Sequence, residues 1–509
     1  MANPASASPA VDPRRVPNPT IAVHDRAFFG HPRGLSTLFF TEMWERFSYY
    51  GMRALLLLFM TAPVASGGLG FNAAKGGAIY ALYTSMVYMM TLPGGWIADR
   101  FIGQRRAVLY GGILIACGHF SMAVPLLATF YFGLFLIVIG TGLLKGNVSV
   151  IVGYLYTPED KRRDAGFSLF YMGINMGAFF SPLVCGYLGQ NVNWHLGFAS
   201  AGVGMVFGLI QYVAGSRYLG EAGLHPAPAE SPAAAATLRQ RAVLIGSVLV
   251  GAIVLFAVGA FTGVIPITAT QVADAAGYFL LFLTVGFFGW LFSTGGWTTQ
   301  ERRRLYAIAA LFLAAGIFWS VFEQAGSTLN LFADRNTNNV FAGFPFPSSW
   351  FQSMNSLFLW MLAPVFAWLW IRLGDVGKEP SSPAKFAWSL VFVAAGFAIL
   401  IIPARQGGQV SPMWLTVTYL LHTIGELLLS PVGLSAMTKL APARIAGLVM
   451  GIWFLATSVG NYIGGRVSGL YESFALPSLF GAVAAFGVVA GLIMFALTPP
   501  IKKMMGGVN

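Results

Sequence analysis

Charge is scarce in this sequence: Asp, Glu, Lys and Arg make up 9% of its 509 residues, whereas a soluble globular protein carries roughly a quarter. So few charges cannot cover a water-facing surface, which excludes an ordinary soluble enzyme. Cysteine is nearly absent. Cys117 and Cys185 are the only two, and both fall inside apolar runs, where they read as small packing residues and offer no extracellular disulfide framework. No Gly-x-x-x-x-Gly-Lys-Ser/Thr loop is present to cradle ATP phosphates. No His/Cys group has metal-ligand spacing. Catalytic residues, a metal and an organic cofactor are therefore not expected. The first 33 residues lack the apolar core and cleavage site of a signal peptide.

What the sequence has instead is apolar length. Residues of the apolar classes make up 56% of the chain, and they gather into runs of about 20, the length that spans bilayer hydrocarbon. Fourteen such runs lie between Gly34 and Leu497. The expected fold is all-α and polytopic, with 14 transmembrane helices. A polar, proline- and alanine-rich tail (1–33) is expected to be disordered and cytoplasmic. A six-helix bundle (34–219), a cytoplasmic linker (220–240), a two-helix insertion hairpin (241–300) and a second six-helix bundle (301–498) follow, with a short tail (499–509). The insertion carries almost no charge inside its spans and is expected to face lipid. Two six-helix halves around an insertion resemble the major facilitator fold, in which substrate sits at mid-membrane between pseudo-symmetric halves.

The net charge of +12 follows membrane topology better than nucleic-acid binding. Arg14, Arg15, Arg26 and Arg33 precede the first run, Arg100, Arg105 and Arg106 follow the second, and Lys161, Arg162 and Arg163 follow the fourth. The pattern continues to Lys502 and Lys503, while only Lys75, Arg335, Arg405 and Arg466 fall on the opposite face. By the positive-inside rule both termini are expected in the cytoplasm.

Seven ionisable residues lie within the apolar runs: Glu42, Glu45, Arg46, Arg53, Lys145, Glu323 and Glu426. Each charge at mid-bilayer costs about 2.5–3.5 kcal/mol, so the set must pair or line water, and such residues mark ion or substrate paths. On the first run Glu42, Glu45, Arg46, Tyr49, Tyr50 and Arg53 form one helical stripe. Glu42 and Arg46 have the i,i+4 spacing of an ion pair. Two neighbouring carboxylates raise the pKa of one by repulsion and an arginine lowers it again, so the group can load and release a proton. Four buried carboxylates against three cations become neutral on taking up one proton.

The stretch from Glu42 through Glu45-Arg46-Phe47 to Tyr49-Tyr50-Gly51 resembles the ExxERFxYYG signature of the proton-dependent oligopeptide transporter family. Five further segments resemble that family's patterns: Phe167 to Phe179, Gly140 to Asn147, Phe318 to Gln324, Trp350 to Asn355, and Gly425 to Pro431. The likeness covers all the spans, with the segments in the family's order.

This resemblance implies proton-coupled symport of di- and tripeptides into the cell. Glu42, Glu45, Arg46 and Glu323 would couple to protons, with Glu323 pairing with Arg53 and changing partner on protonation. Arg53 and Lys145 would hold the peptide carboxylate and Glu426 its ammonium, through charge-assisted hydrogen bonds. Asn175 and Asn355 would bond the peptide amino end and backbone, Tyr49, Tyr50 and Tyr83 would offer hydroxyls, and Trp453 an apolar wall. Asp99 and Arg100, in the loop after the second span, resemble the major-facilitator gating motif. The second span lacks the histidine of animal members, and the loop near Pro403–Pro412 is too short for their extracellular domain. A bacterial inner-membrane protein acting as a monomer is expected. Rivals are a same-fold carrier for nitrate or an amino-acid conjugate, which leaves Glu426 without an ammonium in the nitrate case, and a receptor or channel, which would not concentrate a solute.

Overall fold

In the computed structural model, residues 25–157, 160–227 and 231–507 are described. Nearly all of the chain is helical because backbone N–H and C=O groups in hydrocarbon must be satisfied within their own segment. The first half contains α1 (Arg33–Thr61), α2 (Ala73–Met89) continued by α3 (Thr91–Ile97), α4 (Gln104–Met122), α5 (Leu127–Tyr154), α6 (Arg163–Tyr187) and α7 (Trp194–Gly215). The insertion is α8 (Pro232–Phe261) and α9 (Ala269–Ser293). The second half contains α10 (Thr299–Phe322) continued by α11 (Thr328–Arg335), α12 (Gln352–Asp375), α13 (Ser382–Gln406), α14 (Met413–Leu440), α15 (Ala446–Ser468) and α16 (Leu476–Met505). A two-residue ribbon, β1 (Val340–Phe341) paired with β2 (Phe344–Pro345), precedes α12.

Counting α2–α3 and α10–α11 once each gives the fourteen spans. Among the described residues, ten helical stretches are long and apolar enough to cross a membrane by composition. α1, which carries four of the intramembrane charges, is outside that ten.

Local chemistry sets the ends and breaks. Asn72 caps α2 by accepting from Lys75 N at 2.9 Å, and Thr298 with Glu301 forms a capping box on α10. α10 tightens into a 3-10 turn at Glu323–Gly326 before α11 resumes, leaving backbone oxygens outside the regular ladder. This break matters for the site below.

α1 packs against α6 and α7, and α4 against α5; in the second half α13 packs against α14 and α16. The halves meet where α2 lies against α15, α6 against α12 and α11 against α1. The α2–α15 approach depends on glycine. A Cβ at Gly77 would stand 2.8 Å from Gly469 N and 2.9 Å from Gly465 O, and one at Gly465 would stand 2.6 Å from Ala81 Cα.

Three expected boundaries shift. Part of the tail assigned to 1–33 is folded: Asp25 accepts from Arg33 N at 2.8 Å, and Arg162 donates to Gly30 O at 3.1 Å, tying 25–31 to the segment after α5. Residues 1–24 lie outside the described region. Within the linker assigned to 220–240, helix α8 already begins at Pro232, because Ser231 caps Ala234 N at 3.1 Å and an alanine run follows. The tail assigned to 499–509 continues α16 through Pro499 and Pro500 to Met505, where Ile501 and Met505 are buried and Gln300 donates to Met504 O. Cys185 is buried as expected of a packing residue, but Cys117 is exposed on the outside of α4.

The insertion presents α8 outward, with Val243, Leu244, Val248 and Leu255 exposed. α9 is fastened to α15 by Tyr462, whose hydroxyl donates to Ala273 O at 3.0 Å, and by Asp274 with Arg466 at 2.8 Å. Between the hairpin and α2/α5 lies a hollow of about 1150 Å³ lined mostly by apolar side chains, with Asn72, Lys75, Thr268 and Thr270 also on its wall. It is larger than the cavity between the halves. It holds none of the intramembrane charges, so the smaller cavity is the candidate site.

Candidate functional site

The cavity between the halves has a volume of about 710 Å³ and is lined from α1, α2, α6, α10, α12, α14 and α15. It runs from the Arg53–Glu323 pair toward Ser168, Trp370 and Leu434, close to the end of the molecule where α1 begins and α16 ends, here the terminal end. At the opposite end, polar contacts join the halves. Asn330 donates to Ala54 O at 2.8 Å, Gln190 donates to Ser348 Oγ at 2.7 Å and accepts from Ser349 N at 3.0 Å, and Glu472 accepts from Ala73 N at 2.9 Å. The molecule is therefore closed at the far end while its cavity extends toward the terminal end.

α1 places its polar stripe on the interior, as a spanning helix must. Arg46 Nε lies 2.9 Å from Glu42 Oε1 and 2.6 Å from Glu45 Oε2, and all three side chains are buried. These are charge contacts without full hydrogen-bond alignment. Glu42 Oε2 and Glu45 Oε1 are buried with no hydrogen-bond partner among the described residues. Each offers an oxygen on which a proton can sit.

Two turns further along, Arg53 Nη2 lies 2.6 Å from Glu323 Oε2 and 3.4 Å from Glu323 O, while its Nε donates to Tyr80 OH at 2.8 Å. The 3-10 turn after α10 makes this possible: it brings carboxylate and carbonyl of one residue to a single guanidinium. The pair spans the two halves.

Lys145, on α5, has no carboxylate within ion-pair distance among the described residues. Its Nζ lies 3.5 Å from the centroid of the Tyr88 ring, which faces the cavity. A cation over an aromatic face is partly compensated and remains available to an anion. Across the cavity, Asn355 on α12 donates to Glu426 Oε2 on α14 at 2.8 Å and to Thr423 Oγ1 at 3.1 Å. Glu426 has no cation partner among the described residues. The site thus holds one cation and one anion unpaired, on opposite halves.

Of the residues expected to bind substrate, Tyr50, Arg53, Asn175, Asn355, Glu426 and Trp453 line the cavity. Lys145 and Tyr49 stand behind that wall, Tyr49 fully enclosed, whereas Tyr83 is buried on the wall of the hairpin hollow. Asn175 spends an amide proton on Tyr171 O in its own helix, at 3.0 Å. Glu42, Glu45 and Arg46 are also off the cavity wall. Asp99 accepts from Gln104 Nε2 at 2.6 Å at the terminal end, and its backbone oxygen accepts from Ala227 N, whereas Arg100 is exposed.

Sequence reasoning passed over Tyr80, Tyr88, Tyr171 and Tyr419. Tyr80 lies one turn before Tyr83, but Tyr88 points to another side of α2, toward the transport cavity, so no common stripe marked the three. Tyr419 donates to Ala325 O at 3.3 Å inside the 3-10 break, a contact no sequence spacing announces. His119 and His422 are buried, His422 beside Phe322 and Phe397.

This arrangement defines a membrane carrier, with a cavity between two helical halves and a buried ion pair joining them. The family profile described as POT family matches residues 105–489, and the chain belongs to that family. It is 44% identical over 96% of its length to the uncharacterized transporter YclF of Bacillus subtilis (strain 168), covering 98% of that protein. It is 42% identical to the peptide transporter YePEPT of Yersinia enterocolitica, with 94% of this chain and 96% of that one aligned. A crystal structure of a peptide transporter POT in complex with sulfate superposes with TM-score 0.90 at 43% identity, over 96% of this chain and 99% of that one. The chain is a transporter and not an enzyme.

Proposed function

We propose that this protein carries di- and tripeptides into the cell together with protons, by alternating access between its two halves. The observation that carries the reading is the pair of unmatched charges across the cavity. Lys145, behind Tyr88, and Arg53 supply cations from the first half, and Glu426, steadied by Asn355, supplies an anion from the second. A peptide zwitterion satisfies both and draws the halves together. Recognition through the two termini leaves side chains free to vary, and Trp453 and the apolar remainder of the wall suit that.

Glu42, Glu45 and Arg46 form the proton-loading group, and Glu323 passes between Arg53 and a proton. When Glu323 is protonated Arg53 loses its buried counter-charge and takes the substrate carboxylate instead. The described state faces the terminal end. With the basic loops at that end inside the cell, as the positive-inside rule requires, both termini are cytoplasmic and this is the inward-facing, peptide-releasing state. The protein resides in a bacterial inner membrane and works as a monomer, with the proton as its only coupling partner and no cofactor. Asp99, held by Gln104, and Arg100 act at the cytoplasmic gate.

The test is uptake of a labelled dipeptide by proteoliposomes. Accumulation above equilibrium with acid outside, abolished by a protonophore, supports symport. Equal flux with and without the gradient refutes it.

A further inference from the structure

A second cavity, of about 440 Å³, lies at the terminal end of the second half, between the ends of α12, α14 and α16 and the start of α13. Its chemistry is unlike that of the transport cavity. Ser381 is the N-cap of α13 yet its side chain caps nothing, and Ser382 opens the helix. Ser382 is 6% exposed, lines the cavity, and its hydroxyl has no partner among the described residues. An N-terminal helix end presents N–H groups and a positive dipole, which favour an anion.

Three lysines surround this helix end. Lys385 is buried, 2.5 Å from Glu379 and 4.1 Å from the centroid of the Trp370 ring. Among the described residues Glu379 is the only carboxylate on the wall, and it is already spent on Lys385. Lys439, from the end of α14, and Lys502, from the end of α16, are exposed and have no ion pair among the described residues. The wall therefore carries a net positive charge, the unpartnered hydroxyl of a largely buried serine and an uncapped helix start around one hollow.

We infer that this hollow is a phosphate-binding site, taking the phosphate group of either a phospholipid head or a soluble phosphate. The Ser382 hydroxyl and the N–H groups of Ser382 and Ala384 bind the oxygens, Pro383 having no N–H and that of Lys385 being spent on Ser381 O, and Lys439 and Lys502 neutralise the charge. Trp370 and Pro431 line both this hollow and the transport cavity. A bound phosphate thus ties together the terminal-end segments of α12, α13, α14 and α16 next to the opening that peptide would use.

The test uses the full-length protein in neutral detergent, with thermal unfolding followed at constant ionic strength. Probes are inorganic phosphate, short-chain phosphatidylglycerol, and short-chain phosphatidylcholine as the control with a neutral head. Variants are Ser382→Ala and the exposed pair Lys439→Gln with Lys502→Gln, which touches no buried packing. The expected result is a rise in Tm with phosphate or with phosphatidylglycerol, above that given by phosphatidylcholine. Losing one charge-assisted contact weakens binding about tenfold or more, so in both variants the titration moves to correspondingly higher probe concentration. A response to inorganic phosphate identifies a soluble ligand, and a response to phosphatidylglycerol alone identifies a lipid head. No response to either, or the same titration in the double-lysine variant as in the parent, overturns the inference.

Discussion

Arg53 on α1 and Glu323 at the break after α10 meet across the two halves, Nη2 to Oε2 at 2.6 Å, with both side chains almost fully buried. Removing one partner of a buried ion pair leaves an uncompensated charge and costs about 3–5 kcal/mol. Closure of the halves around this pair therefore depends on the charge state of Glu323. Glu323→Gln mimics the protonated form permanently. Gradient-driven accumulation of dipeptide in proteoliposomes should vanish, while exchange of external against internal peptide persists. Accumulation at the parental level would remove Glu323 from the coupling scheme.

Glu426 tests the grip on the peptide ammonium. A hydrogen bond to a charged group contributes about 1.5–3 kcal/mol, so Glu426→Gln should raise the KM for a free dipeptide by roughly 10- to 100-fold. An N-acetylated dipeptide has no ammonium to lose. The preference for the free over the acetylated peptide, measured by competition, should shrink in the variant. An undiminished preference would place the ammonium elsewhere.

Gly77 tests the far-end closure. A Cβ there meets backbone atoms of α15 at under 3 Å, and backbone cannot turn aside as a side chain can. Gly77→Val should disfavour the state described here and shift the population toward one open at the far end. A cysteine placed on the cavity wall should then react faster with a membrane-impermeant thiol reagent added from the far side. An unchanged reaction rate would mean that the α2–α15 seam is not the moving contact.

Glu472 gives the far-end closure a pH dependence of known sign. Burial pushes its carboxyl up, but the bonds from Arg335 and from Ala73 N–H outweigh it and leave the pKa below the ordinary 4.5. The contribution is thus fully present above 4.5 and fades as pH falls through the lowered value. Hydrogen exchange at residues 73–76, corrected for intrinsic rates, should be constant from pH 8 to 6 and rise only in strong acid. Glu472→Gln should remove that acid response and weaken protection throughout. A rise beginning near pH 6 would point to another group.

Half of the site could be read along single helices. Glu42, Glu45 and Arg46 sit on one stripe because helical periodicity fixes their neighbours, and the Glu42–Arg46 contact appears at 2.9 Å where i,i+4 spacing puts it. The shortage of charge and the recurrent apolar runs likewise dictate a helical membrane protein. Lys145 is different. Its spacing shows that it is intramembrane but not that the Tyr88 ring stands between it and the cavity. Tyr80 as acceptor for Arg53, and Asn355 as donor to Glu426, join different helices, a contact that no spacing within one helix announces. The start of α8 at Pro232 and the passage of α16 through two prolines follow from a cap and from packing at Ile501.

The sequence by itself determined which groups are costly to bury and that they must be matched, since a charge in hydrocarbon is expensive wherever the helix lies. It also determined the spans, the charge asymmetry of their loops and the contacts within α1. Only the tertiary structure decided which charges are matched and which are left for a ligand. Pairing between helices depends on where two backbones approach, and that is set by glycine seams such as Gly77 against Gly465 and by the break at Glu323.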